Sequence, residues 1–162
     1  MDFKQRIVNL LSDIPDPEIP VISIVELGVI RDVKDLGNDA VEVIITPTYS
    51  GCPAMKQMED DVISKLKENG FKTVNVKMVY SPAWTTDWLS EEAKLKLQKY
   101  GIAPPEESTT DKSFITGKHK AVTCPRCKSK NTLLVSQFGS TACKALYKCS
   151  DCLETFDYFK CI

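Results

Sequence analysis

Four cysteines near the C-terminus have the spacing of a metal site. They read Cys124-Pro-Arg-Cys127 and, after twenty-one residues, Cys149-Ser-Asp-Cys152. Two Cys-x-x-Cys turns at this separation each offer two thiolates, and the stretch between them can fold as a hairpin that brings the turns together. A module of about 40 residues buries too little apolar surface to fold alone. A bound metal would then supply much of its folding free energy. Zinc is the leading metal, because four thiolates in a closed tetrahedron form its structural site. A mononuclear iron or an iron–sulfur cluster uses the same ligands.

Cys52 is placed differently. It stands in Pro47-Thr-Tyr-Ser-Gly-Cys52-Pro53, just ahead of a helical pattern. Proline favours the first helical position, so the thiol is expected at a helix N-terminus, where the dipole and free N–H groups favour a thiolate. Such a sulfur is a nucleophile or a soft-metal ligand. Gly51 lets the chain turn, and Thr46, Thr48 and Ser50 offer hydroxyls nearby. The residues alone leave a second reading open, a buried inert cysteine. Asp16, Glu18 and Glu26 are carboxylates in turns, and by type alone they read as solvated or capping groups.

Cys143 and Cys161 remain. Cys143 lies six residues before Cys149, about 20 Å along a regular strand, which is too far to share its metal. A hairpin centred on Cys152 would set Cys149 opposite Thr155 and Cys143 opposite Cys161, giving a second thiol pair at the far end. The alternative is two small core residues.

The elements that must position these groups follow from periodicity. Phe3, Ile7, Leu10 and Leu11 form the stripe of a helix over 3–12, stopped by Pro17 and Pro20. Residues 22–25 and 28–34 read as strands broken at Gly28. Gly37-Asn38 reads as a hairpin turn, and 41–46 as the returning strand. Met55, Met58, Val62 and Leu66 mark a helix over 54–68, ended by Asn69-Gly70. A strand follows over 74–79. Trp84 and Trp88 read as a lid on a small core. Ser90 then caps a last helix that ends at Gly101. This order predicts an α+β domain over 1–102, a two-layer mixed sheet with its helices on one face. A polar Pro/Ser/Thr-rich linker covers 103–121. A small all-β cysteine module covers 122–162, with strands near 132–138, 142–149 and 154–160.

Composition excludes several functions. The chain has 162 residues, 43% hydrophobic and 27% charged, with net charge −1. That balance argues against a nucleic-acid partner, which needs a basic face. No stretch approaches the ~20 apolar residues of a membrane span. Met-Asp-Phe-Lys-Gln-Arg is no signal peptide. The expected location is cytoplasmic, where paired cysteines point to metal rather than disulfides. One histidine, His119, is too few for a Glu-x-x-His di-iron site or a His-Glu-x-x-His protease. The seven glycines form no dinucleotide or phosphate loop.

The motifs Asp16-Pro-Glu-Ile-Pro20, Leu27-Gly28, Ile45-Thr-Pro-Thr48, Gly51-Cys-Pro53 and Ser81-Pro-Ala-Trp-Thr85 resemble the metal–sulfur cluster assembly domain. That family includes SufT and the eukaryotic cytosolic iron–sulfur targeting factors. Ser81 to Trp88, together with Phe138-Gly-Ser-Thr-Ala-Cys-Lys-Ala-Leu-Tyr147, is similar to one branch, the accessory proteins of the phenylacetyl-CoA epoxidase operon. The resemblance spans nearly the whole chain. One departure is Leu153-Glu154 after the second knuckle, where many ribbons carry glycine, and this predicts a looser turn.

The resemblance implies a non-catalytic accessory protein of aerobic phenylacetate breakdown. It would assemble or maintain iron or iron–sulfur centres in the oxygenase or reductase subunits, alongside the iron–sulfur assembly machinery. Cys52 would bind the transient iron or cluster, in a pocket shaped by Thr46, Thr48 and Asp16. A ribbon with structural zinc would dock the client. Two rival classes are a coupling subunit that stays in the oxygenase complex and a nucleic-acid-binding zinc ribbon.

Overall fold

The computed structural model describes residues 1–49, 51–106 and 121–159. Ser50, most of the expected linker, His119 and Cys161 lie outside the described residues. The chain divides into two compact units, Met1–Trp84 and Thr85–Ile162.

The first unit starts with α1 (Phe3–Leu11), which buries Ile7 and Leu11. Strands β1 (Ile30–Gly37) and β2 (Ala40–Ile45) form an antiparallel hairpin. Gly37, Asn38 and Asp39 take positive φ at its turn, the backbone sign that hairpin turns demand. Helix α2 (Ala54–Glu68) then crosses to β3 (Thr73–Met78), which pairs parallel with β2. The sheet order is β1-β2-β3, so a mixed sheet holds one βαβ crossover.

Val41, Val43 and Ile45 alternate onto the buried face of β2. They face the helix layer, in which α1 packs on β1 and α2 on β3 while the two helices pack on each other. Met55, Met58, Val62 and Leu66 are the buried stripe of α2, as their spacing predicts.

Residues 22–25 are not a strand. They run through turns, with one isolated bridge from Ser23 to Pro15. Their apolar side chains have no alternation to obey, because Ile22, Ser23 and Ile24 are all buried. Ser23 Oγ accepts from the Glu26 N–H while Glu26 Oε2 accepts from the Ser23 N–H. This reciprocal box satisfies turn donors that a strand would have paired. Trp84 is buried, and its indole N–H donates to Leu27 O at 2.9 Å.

Among the described residues, the second unit contains a short 3-10 turn (Thr86–Trp88), α3 (Glu91–Tyr100) and four strands. Ser90 Oγ caps α3 by accepting from the Ala93 N–H. Gly101 ends it with φ of 93°. Strand β4 (Ile102–Ala103) follows at once. The ribbon strands are β5 (Thr132–Ser136), β6 (Lys144–Cys149) and β7 (Thr155–Phe159), and the sheet order is β4-β7-β6-β5.

Two expectations are corrected here. First, Ile102 and Ala103 pair parallel with Asp157 and Tyr158, so the stretch expected to end one domain and start a linker adds a strand to the ribbon sheet. A two-residue strand has no period to detect. Second, Thr155 pairs with Lys148 and not with Cys149. A shift of one residue exchanges the two faces of a strand, so the predicted Cys149–Thr155 register is wrong. The proposed Cys143–Cys161 pair cannot be placed, because Cys161 is outside the described residues.

Candidate functional site

The first knuckle, Cys124–Cys127, precedes β5. The second, Cys149–Cys152, is the turn between β6 and β7. The two are built alike. Cys124 N–H donates to Ser129 O at 2.8 Å, and Cys149 N–H donates to Glu154 O at 2.9 Å. The residue after each knuckle is left-handed, Lys128 at φ 65° and Leu153 at φ 63°. A side chain there costs roughly 1–2 kcal/mol. The expected loosening at Leu153 is therefore absent: the turn closes as tightly as its counterpart and carries strain instead.

Polar groups staple the knuckles together. Asp151 accepts from the Ser129 hydroxyl and from Asn131 Nδ2 at 3.0 Å. Ser150 N–H donates to Asn131 O at 2.8 Å. The Ser129 and Asn131 donors hold the Asp151 carboxyl below its ordinary range. Sequence reasoning missed this staple. Its signal was the short polar residues inside and after the knuckles, types that bond to nearby backbone.

The staple brings four sulfurs together. Cys124 and Cys152 Sγ lie 3.8 Å apart, and Cys127 and Cys149 Sγ lie 3.5 Å apart. All four fall within 4.8 Å of one another. A tetrahedral ion with metal–sulfur bonds of about 2.3 Å needs sulfurs about 3.8 Å apart, so the donor set fits a metal ion.

Backbone donors prepare the charge. The N–H groups of Cys152 and Asp151, helped by the Cys127 and Cys152 thiols, bring the Cys149 thiol down to about 7 against its burial. At Cys152 the Glu154 N–H favours the thiolate, but burial and the sulfurs of Cys149, Cys127 and Cys124 outweigh it and push the thiol up to about 12. At Cys127 the Ser129 N–H is likewise outweighed, by burial and by the Cys149 and Cys124 thiols, and the thiol is raised. Without a cation, neighbouring sulfurs cannot all ionise; a metal removes that conflict. Cys143 is not part of the cluster. It is buried elsewhere on the ribbon, with Sγ 3.0 Å from Thr141 Oγ1.

The other candidate residues lie in the first unit. Thr46 follows the last residue of β2, and Cys52 stands two residues ahead of α2. The loop between them is the βα connection at the C-terminal edge of the parallel pair, where open α/β sheets bind ligands. Pro53 caps α2 in helical conformation, so Cys52 lies one position farther out than the proline rule suggests. Its carbonyl accepts from Met55 N–H at 3.3 Å. Gly51 supplies the turn with φ of 76°.

Thr46, Thr48, Cys52 and Asp16 are all buried. Asp16 sits on a neighbouring turn, where Oδ1 accepts from the Glu18 and Ile19 N–H groups at 2.9 and 2.6 Å. A backbone chain ties that turn to the loop. Ile24 N–H donates to Ile14 O, Val29 N–H to Ile24 O and Thr46 N–H to Val29 O. Thr46 Oγ1 is buried with no hydrogen-bond partner among the described residues. A buried orphan hydroxyl costs about 1–3 kcal/mol, so it calls for an explanation.

Comparison with known proteins divides the chain in the same sense. Residues 4–78 match a family described as iron–sulfur cluster assembly protein. Residues 108–160 match the PaaD zinc beta ribbon domain. The chain is 49% identical to a protein of Escherichia coli (strain K12) that is named as a subunit of 1,2-phenylacetyl-CoA epoxidase, over 94% of this chain and 90% of that one. It is 40% identical to an Fe-S protein maturation auxiliary factor of Porphyromonas gingivalis (strain ATCC BAA-308 / W83), over 60% of this chain and 92% of the relative. A crystal structure of a domain of unknown function, DUF59, from Bacillus anthracis has a TM-score of 0.55 and 31% identity, covering 59% of this chain and 91% of that one.

Proposed function

The chain belongs to the PaaD family, an iron–sulfur cluster assembly domain joined to a zinc β-ribbon, and from that membership we propose that it is a non-catalytic maturation factor of a phenylacetyl-CoA epoxidase system. Its cargo is iron or an iron–sulfur cluster. Its clients are the oxygenase or reductase subunits that carry the metal centres.

One observation carries this reading: a buried cysteine and a buried threonine hydroxyl with no hydrogen-bond partner among the described residues share the βα loop of the assembly domain. The Cys52 sulfur offers a soft ligand for iron. The Thr46 hydroxyl would donate to a sulfide or thiolate of the cargo. Thr48 lines the same loop, and Asp16 fixes the adjoining turn. Names of relatives as maturation auxiliary factors support the same role. The ribbon would hold zinc through Cys124, Cys127, Cys149 and Cys152. Zinc there would be structural, because four protein thiolates leave no open position for substrate.

The test is Cys52→Ala in cells that grow on phenylacetate. The oxygenase and reductase subunits purified from them are expected to be short of iron or cluster, with epoxidase activity lost in proportion. The same subunits, fully metallated beforehand, are expected to turn over without this chain. Normal metal content in cells carrying Cys52→Ala would end the carrier mechanism. A strict requirement for the chain by metallated subunits would favour a coupling subunit.

A further inference from the structure

The four clustered sulfurs of the ribbon are not equally protected. Among the six described cysteines only Cys127 is exposed; Cys52, Cys124, Cys143 and Cys149 are buried and Cys152 is intermediate. Cys124 and Cys149 belong to the ribbon core, and Cys152 packs against it. Cys127 is the ligand that the core leaves out. The two knuckles differ in their supports. The second is closed between β6 and β7, with a strand on each side. The first has a strand, β5, on its C-terminal side only, and its last cysteine stands in the chain between the exposed Arg126 and Lys128.

Backbone donors follow the same order. Cys149 accepts from the N–H groups of Cys152 and Asp151, and Cys127 from that of Ser129. An N–H bonded to a thiolate holds its electron pair and lowers its nucleophilicity. Four protein thiolates fill a zinc tetrahedron, and zinc itself does no redox chemistry. An oxidant that reaches this site therefore meets sulfur, and the sulfur open to solvent is Cys127. Cys149 Sγ lies 3.5 Å from it, against 3.8 Å between Cys124 and Cys152. Burial does not hinder Cys149 as a second nucleophile, because its attack on Cys127 is internal.

We propose that Cys127 is an oxidation site that opens the ribbon: hydrogen peroxide oxidises it, Cys149 closes a disulfide onto it, and the metal leaves. The inference concerns the ribbon alone and does not depend on the cargo reading. The Cys127 thiolate attacks one oxygen of the peroxide; an S–O bond forms, the O–O bond breaks, and the departing hydroxide takes a proton to become water. The Cys149 thiolate then attacks the sulfur of the resulting sulfenic acid; the S–S bond forms, the S–O bond breaks, and a second hydroxide takes a proton to become water. Two thiolates have given up two electrons, and one peroxide and two protons have become two waters. Cys124 and Cys152 remain as ligands, too few for a structural site. Without metal the module loses the free energy that folds it.

The test uses the full chain loaded with zinc and titrated with hydrogen peroxide. Zinc release is followed with a chromogenic chelator, and oxidised cysteines are mapped by alkylation and peptide mass. Two variants are compared with wild type, Cys127→His and Cys152→His. Each keeps a closed site, since three thiolates and one imidazole also hold structural zinc. Wild type is expected to release zinc with a Cys127–Cys149 disulfide as the first stable product, and a dithiol reductant with added zinc should restore the site. Cys127→His should slow release at least about tenfold, because the exposed thiolate is gone, and Cys152→His should not.

Equal release from wild type and Cys127→His would overturn the proposal. So would a first disulfide joining Cys124 to Cys152, or oxidation of Cys52 or Cys143 while zinc stays bound. The map on wild type decides by itself if either variant holds zinc too weakly to be loaded.

Discussion

The two halves of this chain use cysteine in opposite ways. In the first unit the core needs no thiol: Ile7, Leu11, Val41, Val43, Ile45, Met55, Met58, Val62 and Leu66 are its buried apolar side chains. Its one cysteine, Cys52, lies in the same loop as Thr46, whose hydroxyl has no hydrogen-bond partner among the described residues. In the ribbon, Cys124 and Cys149 are themselves core residues, packed with Tyr147, Phe156 and Tyr158. Where apolar burial suffices, a thiol is left over for a ligand role, as proposed for Cys52. Where it does not, thiols become the fold.

The largest expected effect tests the second half of that contrast. Removing the metal with a chelator, or changing Cys149→Ser, should unfold the ribbon sheet, since structural zinc contributes about 10–16 kcal/mol to zinc-finger folds. Amide exchange should rise across β5, β6 and β7 and stay slow in α1, α2 and β1–β3. Native protection of the ribbon without metal would break the comparison.

The core of the first unit should fail in the ordinary way. Leu66→Ala is expected to cost about 2–5 kcal/mol in denaturant unfolding of that unit, with the metal content of the ribbon unchanged. A matching loss of metal would mean that the two units fold as one.

Acid should separate the halves more gently. Metal binding displaces protons from thiols, and those of Cys127 and Cys152 are raised while that of Cys149 lies near 7. Protons therefore compete better as pH falls, and retention against a fixed chelator should drop between pH 8 and pH 6. The first unit, with no such ligand cluster among its described residues, should keep its fold over that range. Metal retention independent of pH would contradict the four-thiolate site.

Two substitutions should stabilise, each by about 1 kcal/mol or less. Thr46→Val removes a buried hydroxyl that has no partner, so the free protein should gain stability while client metallation falls. A loss of stability would mean the hydroxyl is satisfied and has no cargo to wait for. Leu153→Gly relieves a left-handed leucine, and the ribbon's thermal midpoint should rise. A fall would place the value of Leu153 in a contact of its exposed side chain.

Whatever depends on neighbours along the chain was legible in the residues alone. Helix α2 runs where Met55, Met58, Val62 and Leu66 recur, and α3 runs from its Ser90 cap to Gly101. The Cys-x-x-Cys turns announced their chemistry, because a metal needs only ligand type and spacing. Whatever depends on distant partners waited for the assembled fold. Local propensity did not reveal that Ile102 and Ala103 would join β7, since their pairing energy comes from residues more than fifty positions away. It did not fix the ribbon register, because the packing of Tyr147 on Phe156 and Tyr158 favours one alignment over its neighbour. Nor could it tell that Thr46 Oγ1 would be buried with no hydrogen-bond partner among the described residues. Burial and pairing belong to the assembled fold, and a residue's type sets only what it would cost to leave either unmet.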